Sequence, residues 1–178
     1  MSDRCYFVDL MLFPFMCWKI QASLNTMGMA YFASGCYGEA LKVFADVLHI
    51  LQEITNRNHI HISHVLNNVG VTYFTMQEID SSLEAFEEAL EIHRSFLIEI
   101  FGKKTNLDQE IDQEIIRNTL LGIAYTLCNM AYIYSYIDSP KEAKFLLEEA
   151  LITEKSVLAD NDMGTGKIQK FLSNRSLQ

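Results

Sequence analysis

Two prolines and eight glycines are all the strong chain breakers that these 178 residues contain. So few interruptions exclude a collagenous or low-complexity chain and leave room for long helices. The four cysteines, Cys5, Cys17, Cys36 and Cys128, lie far apart with no paired CxxC spacing. That argues against a zinc knuckle and against a dense disulfide framework. The expectation is reduced thiols in an intracellular, cytoplasmic protein, with Cys36 and Cys128 packed as small hydrophobes. Bases are scarce too: 14 Lys and Arg stand against 23 Asp and Glu, a formal net charge of −9. Nucleic acid and anionic membrane surfaces both require clustered Lys and Arg, so neither is an expected partner. The most apolar stretch, Cys5–Trp18, is broken by Asp9 and Pro14, whereas a membrane span needs about 20 apolar residues. A signal peptide is the alternative for this stretch, since Arg4 precedes it; Lys19, Ile20 and Gln21 make a poor cleavage site.

What the chain does contain is apolar content, 49% of residues, arranged in a recurring spacing. Leu24, Gly28, Tyr31, Ala40, Phe44 and Leu48 form the first instance. Leu66, Gly70, Tyr73, Ser82, Phe86, Ala89 and Leu90 form the second, and Leu127, Ala131, Tyr134, Ala143, Leu147, Ala150 and Leu151 the third. In each, a small residue follows the Leu by one helical turn, an aromatic comes three later, and a second small residue nine after that. Small residues let two helices approach closely, and large ones fill the space beside them. Each unit therefore reads as a helix–turn–helix whose apolar face needs a neighbour, and stacking the units supplies one.

The helices are expected at about 21–33 and 37–55, 60–76 and 81–100, and 111–136 and 140–158. Gly35 gives the first turn a permissive backbone, and Pro140 suits a first helical position behind Ser139 as cap. The repeats thus occupy about 21–55, 60–101 and 111–158, within one repeat domain over 21–158. The spacing is uneven: 42 positions separate Gly28 from Gly70 and 61 separate Gly70 from Ala131. The insertion lies near 103–119, where Ile111, Ile115, Ile116 and Leu120 keep helical spacing and extend the third repeat's first helix backwards. Residues 1–20 are expected as an apolar segment capping the open end of the stack, and 159–178 as a polar tail in which 168–172 has the makings of a short helix. Eleven acids face three bases between Glu78 and Glu114, a solvated face.

These residues resemble the tetratricopeptide repeat, in the longer form found in kinesin light chain. That form keeps a loop ending in His, a small residue and a Leu-Asn-Asn run, and His59, Ile62, Ser63, Leu66, Asn67, Asn68, Val69 and Gly70 match it in order. The first repeat keeps Leu24, Asn25 and Gly28; the third keeps Ile123, Ala124, Leu127, Asn129 and Ala131. Ile60 stands where the loop proline belongs, and Leu120 where the third repeat's histidine does. The resemblance implies an all-α solenoid of three stacked repeats. It also implies that the second, fifth, sixth and ninth repeat positions look into a concave groove. Those are Ala22, Asn25, Thr26 and Met29, then His64, Asn67, Asn68 and Val71, then Tyr125, Cys128, Asn129 and Tyr132. Relatives that grip a C-terminal carboxylate place Lys and Arg there; this chain has none, so that mode is not expected.

Asn both donates and accepts, which suits Asn67, Asn68 and Asn129 to hold the main chain of an extended peptide. Tyr125, Tyr132 and Phe74 would bury apolar side chains. The alternative for Asn67 and Asn68 is structural, satisfying backbone between helices. His59, His61 and His64 invite a metal, but no carboxylate or cysteine lies beside them, and no metal or cofactor is expected. Met163–Lys167 lacks the spacing and following Ser or Thr of a phosphate loop. No nucleophile–base arrangement stands out, so an enzyme is not expected. The reading is a protein-interaction adaptor for a peptide or helical partner. The alternative is an assembly element that self-associates or docks through Phe7, Leu10, Leu12, Phe13 and Phe15.

Overall fold

The computed structural model describes residues 19, 22–54, 60–102 and 109–158. Among these residues there are six helices and no strand: α1 (residues 22–33), α2 (Tyr37–Ile54), α3 (Ile60–Thr75), α4 (Ile79–Gly102), α5 (Gln109–Tyr136) and α6 (Pro140–Leu158). The fold is all-α, and the helix limits fall close to those read from the apolar spacing. The apolar segment over 1–20, apart from helical Lys19, lies outside the described residues, as do His59 and the tail. α5 starts at Gln109, so much of the insertion is helix, an extension of the third repeat's first helix. Within it Ile116 and Leu120 are buried while Ile115 is exposed.

Each helix pair closes through the same turn. The first helix ends on a residue in the left-handed region: Gly35 (φ 76°), Gln77 (φ 65°) and Asp138 (φ 58°). The next residue's amide reaches back five positions, Cys36 to Tyr31 at 2.9 Å, Glu78 to Tyr73 at 3.0 Å and Ser139 to Tyr134 at 2.8 Å. The left-handed residue's own amide donates to Phe32, Phe74 and Ser135. This paired return satisfies carbonyls that a helix end otherwise leaves open. The carbonyls of Cys36, Glu78 and Ser139 then accept the amides of Ala40, Ser82 and Ala143, the first bonds of the following helices. One short turn thus ends one helix and starts the next. It explains the fixed interval between the repeat's aromatic and its second small residue: Tyr31, Tyr73 and Tyr134 accept the return bond, and Ala40, Ser82 and Ala143 make the first forward one.

The chain divides into two compact units, Met1–Ala85 and Phe86–Gln178. In the first, Phe44 is fully buried, and its ring occupies the place where a side chain at Gly28 would stand. A Cβ there would come within 2.8 Å of the ring's Cδ1 and closer still to its edge. Val43, Val47, Leu51, Ile62, Val65 and Leu66 fill the rest of this core, where α3 packs on α2. At the second pair's turn, the buried Ser82 hydroxyl donates to the Gly70 carbonyl at 2.6 Å, so α3 and α4 approach at their two small positions.

The second unit repeats this logic with different residues. His93 of α4 is fully buried, and its ring takes the space beside Gly122 of α5, with Nε2 2.8 Å from where a Cβ would lie. Arg94 donates to Glu149 at 2.9 Å, and the Glu149 carboxylate is almost fully enclosed. Ile123, Leu127 and Ile133 of α5 are buried in this unit, with Ala143 and Ala150 of α6. Buried threonines satisfy their hydroxyls on their own helices, as Thr126 does on Gly122 and Thr153 on Glu149. Two expectations fail in this unit. Leu147 and Leu151, assigned to the core by repeat spacing, are exposed. The spacing counts on a neighbouring helix beside α6, and the described residues end with α6 at Leu158.

Two stability measurements follow. Gly28→Ala forces Cβ into the Phe44 ring and is expected to destabilise by about 1–3 kcal/mol, the usual range for overpacking, read as a lower Tm in thermal unfolding. Gln77→Gly removes a left-handed penalty of about 1–2 kcal/mol, part of which is offset by the greater freedom of unfolded glycine. Its expected outcome is a Tm raised by about 1–3 °C. An unchanged or lower value would mean the turn carries no strain.

Candidate functional site

The candidate groove residues fall on α1 and α3 in the first unit and on α5 in the second. In the first unit the structure joins two of them directly. Asn68 of α3 donates its side-chain amide to the Asn25 Oδ1 of α1 at 2.9 Å. This bond ties the first helices of two successive repeats together. Asn67 turns the other way: it is buried and donates to the Ser63 carbonyl on its own helix at 3.0 Å. Adjacent residues on a helix point about 100° apart, which separates the two asparagines. Thr26 also turns its hydroxyl onto its own helix, to Ala22. Val71 is half-buried and Met29 exposed.

His64 is exposed at the surface of α3, with the His61 ring edge-on to it and centroids 6.1 Å apart. Desolvation, and after it the neighbouring His61, lower the His64 pKa below the ordinary histidine value. Among the described residues no three His, Cys, Asp or Glu side chains gather in a way that holds a metal ion.

In the second unit, Tyr125 and Tyr132 stand two turns apart on α5, 57% and 65% exposed. Asn129 lies between them, its Nδ2 enclosed and without a hydrogen bond among the described residues. Sequence reasoning missed two residues of the same face. Leu121 and Tyr136 lie four residues before Tyr125 and four after Tyr132, and both are exposed; that spacing was the available signal. No charged residue occurs between Asn118 and Ile137, so this face is an uncharged strip about 22 Å long from Leu121 to Tyr136. Cys128 belongs to it as well. Both Cys36 and Cys128 are exposed free thiols, contrary to the expected burial. Cys36 sits in the α1–α2 turn, and Cys128 on the outward face of α5. Desolvation, followed by the charge of Glu154, raises the Cys128 pKa, which keeps it a protonated, weakly nucleophilic thiol.

Outside these faces, Met130, Tyr134, Lys141, Glu142, Phe145 and Leu146 line an open cleft of about 390 Å³ at the turn end of α5 and α6. It brings one Lys and one Glu together without a nucleophile or a converging donor set. On the outer side of α6, Phe145 and Ile152 are exposed at the positions that Glu84 and Glu91 hold in α4. No helix among the described residues is long and apolar enough to cross a membrane.

The depressed His64 pKa has a thermodynamic consequence. The unfolded chain binds this proton more readily than the native one, so native stability is full above the ordinary histidine range. It is lost as pH falls through about 6.5 towards the native pKa. The expected outcome is a Tm drop between pH 7.5 and 5.5 that is smaller in His64→Gln, and smaller in His61→Gln, than in the parent. An equal drop in all three would remove the His61–His64 pair as its source.

One family match and one solved structure agree with this architecture. The tetratricopeptide repeat pattern matches residues 19–95. BtubC (BKLC) from P. vanneervenii superimposes with a TM-score of 0.63 at 16% identity, covering 80% of this chain and 50% of that one. This chain therefore spans about half of that protein's length. A putative kinesin light chain from Podosopora anserina with nearly identical TPR-like repeats gives 0.38 at 15% identity, covering 76% and 75%. A point variant of that protein gives 0.41 at 14% identity, covering 79% and 77%. No curated protein matches by sequence. The chain is an all-α protein of the tetratricopeptide repeat fold, with the repeat itself matched over residues 19–95.

Proposed function

We propose that this chain is a protein-interaction adaptor that binds a peptide or helical segment of a partner through the first helices of its repeats. The observation that carries the reading is the uncharged strip on α5. Leu121, Tyr125, Tyr132 and Tyr136 are large, exposed and spaced by one or two helical turns, on a chain that is otherwise strongly acidic. Tyrosines supply contact area at low entropic cost, with a polar tip for a hydrogen bond. The Asn129 side chain lies among them, half-buried. On α1 and α3, Asn25 and Asn68 engage each other yet keep one donor group and one acceptor between them for a bound main chain. Asn67 supports the helix rather than the ligand in this reading, while His64 and Val71 stand about one turn either side of Asn68 on α3. None of these positions carries Lys or Arg, so the bound segment is recognised by apolar side chains and main chain, not by a terminal carboxylate.

A fold of stacked helix pairs commonly serves as a non-catalytic scaffold, and the exposed groups described here assemble no acid, base and nucleophile in reach of one another. Affinity capture with mass spectrometry tests the proposal, comparing the parent with Asn68→Ala/Asn129→Ala and with Tyr125→Ala/Tyr132→Ala. Circular dichroism checks that each variant is folded. The expected result is one set of partners, weakened at least about tenfold in the tyrosine variant, since buried interface aromatics contribute about 2 kcal/mol or more. Retention of the same partners by both variants would overturn the site assignment.

A further inference from the structure

Leu121, Tyr125, Tyr132 and Tyr136 of α5 follow one another at intervals of four, seven and four positions. At the rotation of an α-helix they fall within about 60° of one another, with Cys128 beside them. All four are exposed, the tyrosines by more than half, and Cys128 is exposed as well. The buried Ile123, Leu127 and Ile133 take the opposite side of the helix. These intervals read the same in either direction, and their midpoint falls between Cys128 and Asn129. A face with that property is self-complementary. When two such helices run antiparallel about a two-fold axis through the midpoint, Leu121 meets the partner's Tyr136, and Tyr125 the partner's Tyr132. Each contact then occurs twice, which is the condition for an isologous interface.

Charge narrows where two copies can touch. The chain carries a formal net charge of −9, so copies repel one another, and like charges placed face to face oppose a contact. No acid or base stands between Asn118 and Ile137, and two of these strips meet without that penalty. Residues 20–38 are uncharged too, but they do not present one face. Met27 and Tyr31 lie on one side of α1 and Met29 on the other. We propose that α5 of one copy docks antiparallel on α5 of a second copy through the Leu121–Tyr136 strip. The inference rests on the reading of this strip as a docking face, and a foreign partner competes with the second copy for it. The contact is small. A fully covered aromatic side chain buries about 150–250 Å², so these partly exposed residues supply about 1,000 Å² over both copies, the low end of specific interfaces. The dimer is therefore weak and exchanging, and a better-fitting partner displaces it.

Sedimentation equilibrium of the full chain over a micromolar dilution series tests this. The parent is expected to show a monomer–dimer equilibrium. Tyr125→Ser/Tyr132→Ser, confirmed as folded by circular dichroism, is expected to dimerise at least about tenfold more weakly. Met27→Ser/Met29→Ser and Leu147→Ser/Leu151→Ser are expected to leave the equilibrium unchanged. Cross-linking reads the direction of the pair, in a background with all four cysteines replaced by Ser. A linker of about 8–10 Å, the spacing of packed helices, is expected to join Leu121→Cys chains to Tyr136→Cys chains. It is expected not to join Leu121→Cys chains to each other, since the two sites then lie about 22 Å apart along the axis. Where that background does not fold, the sedimentation comparison decides alone. A parent that stays monomeric throughout would overturn the proposal, as would a dimer that survives in the tyrosine variant or cross-links Leu121→Cys to itself. A monomeric parent whose captured partners are still lost in Tyr125→Ala/Tyr132→Ala would sink the dimer and leave the adaptor reading standing. A dimer lost in the tyrosine variant while all captured partners persist would do the reverse.

Discussion

Everything in this architecture depends on how closely the two helices of a repeat approach. The distance is set where one helix carries no side chain, or a very small one. Gly28 leaves room for the Phe44 ring, and Gly70 offers its carbonyl to the Ser82 hydroxyl. At Gly28 the vacated volume is filled by an aromatic ring, at Gly70 by a hydrogen bond; both remove a gap that would otherwise forfeit dispersion contacts. His93 against Gly122 applies the same device between α4 and α5. The choice of a histidine there is more demanding than a leucine, because a fully buried imidazole must also satisfy its two nitrogens.

The connecting turn converts this local approach into a repeat. Since Gly35, Gln77 and Asp138 all adopt the left-handed conformation, each pair reverses with the same geometry. Only Gly35 does so without steric cost. Asp tolerates the region through its short polar side chain, whereas Gln has no such advantage. That the turn persists at Gln77 indicates that tertiary packing and the two return bonds over-determine it.

This distinction also marks how far the fold was legible in the sequence. Helix limits came from apolar spacing and from Pro140, because packing of an amphipathic face dominates helix formation. The left-handed turn was read only at Gly35; Asp138 is a residue type that tolerates it, whereas at Gln77 nothing in residue type announces it. The outward placement of Asn68 and the inward placement of Asn67 rest on a 100° rotation between neighbours, which spacing alone does not orient. Tyr125 and Tyr132 were legible as one face, yet Leu121 and Tyr136 were missed because they lie off the repeat's groove positions, although on the same helical stripe. Cys36 and Cys128 misled because a small apolar residue is as compatible with a turn or an outer face as with a core. Leu147 and Leu151 misled for a different reason: burial of a repeat position depends on what packs beside it, which residue type alone does not report.

The Arg94–Glu149 pair shows what the pattern cannot encode. It joins α4 to α6 across 55 positions, with Glu149 enclosed and Arg94 partly open. Desolvating a carboxylate costs several kcal/mol, and a single arginine contact offsets that only when the geometry is good. Two apolar residues of similar volume would hold the same helices with less penalty. A directional, charged contact does something they would not, since it is satisfied at one relative placement of α4 and α6 and left unpaired at others. The repeat's apolar positions are nearly interchangeable between pairs and tolerate several stackings. One such pair at a non-equivalent position, its Glu149 enclosed, therefore favours the arrangement of α4 and α6 that pairs it over those that leave the carboxylate unpaired.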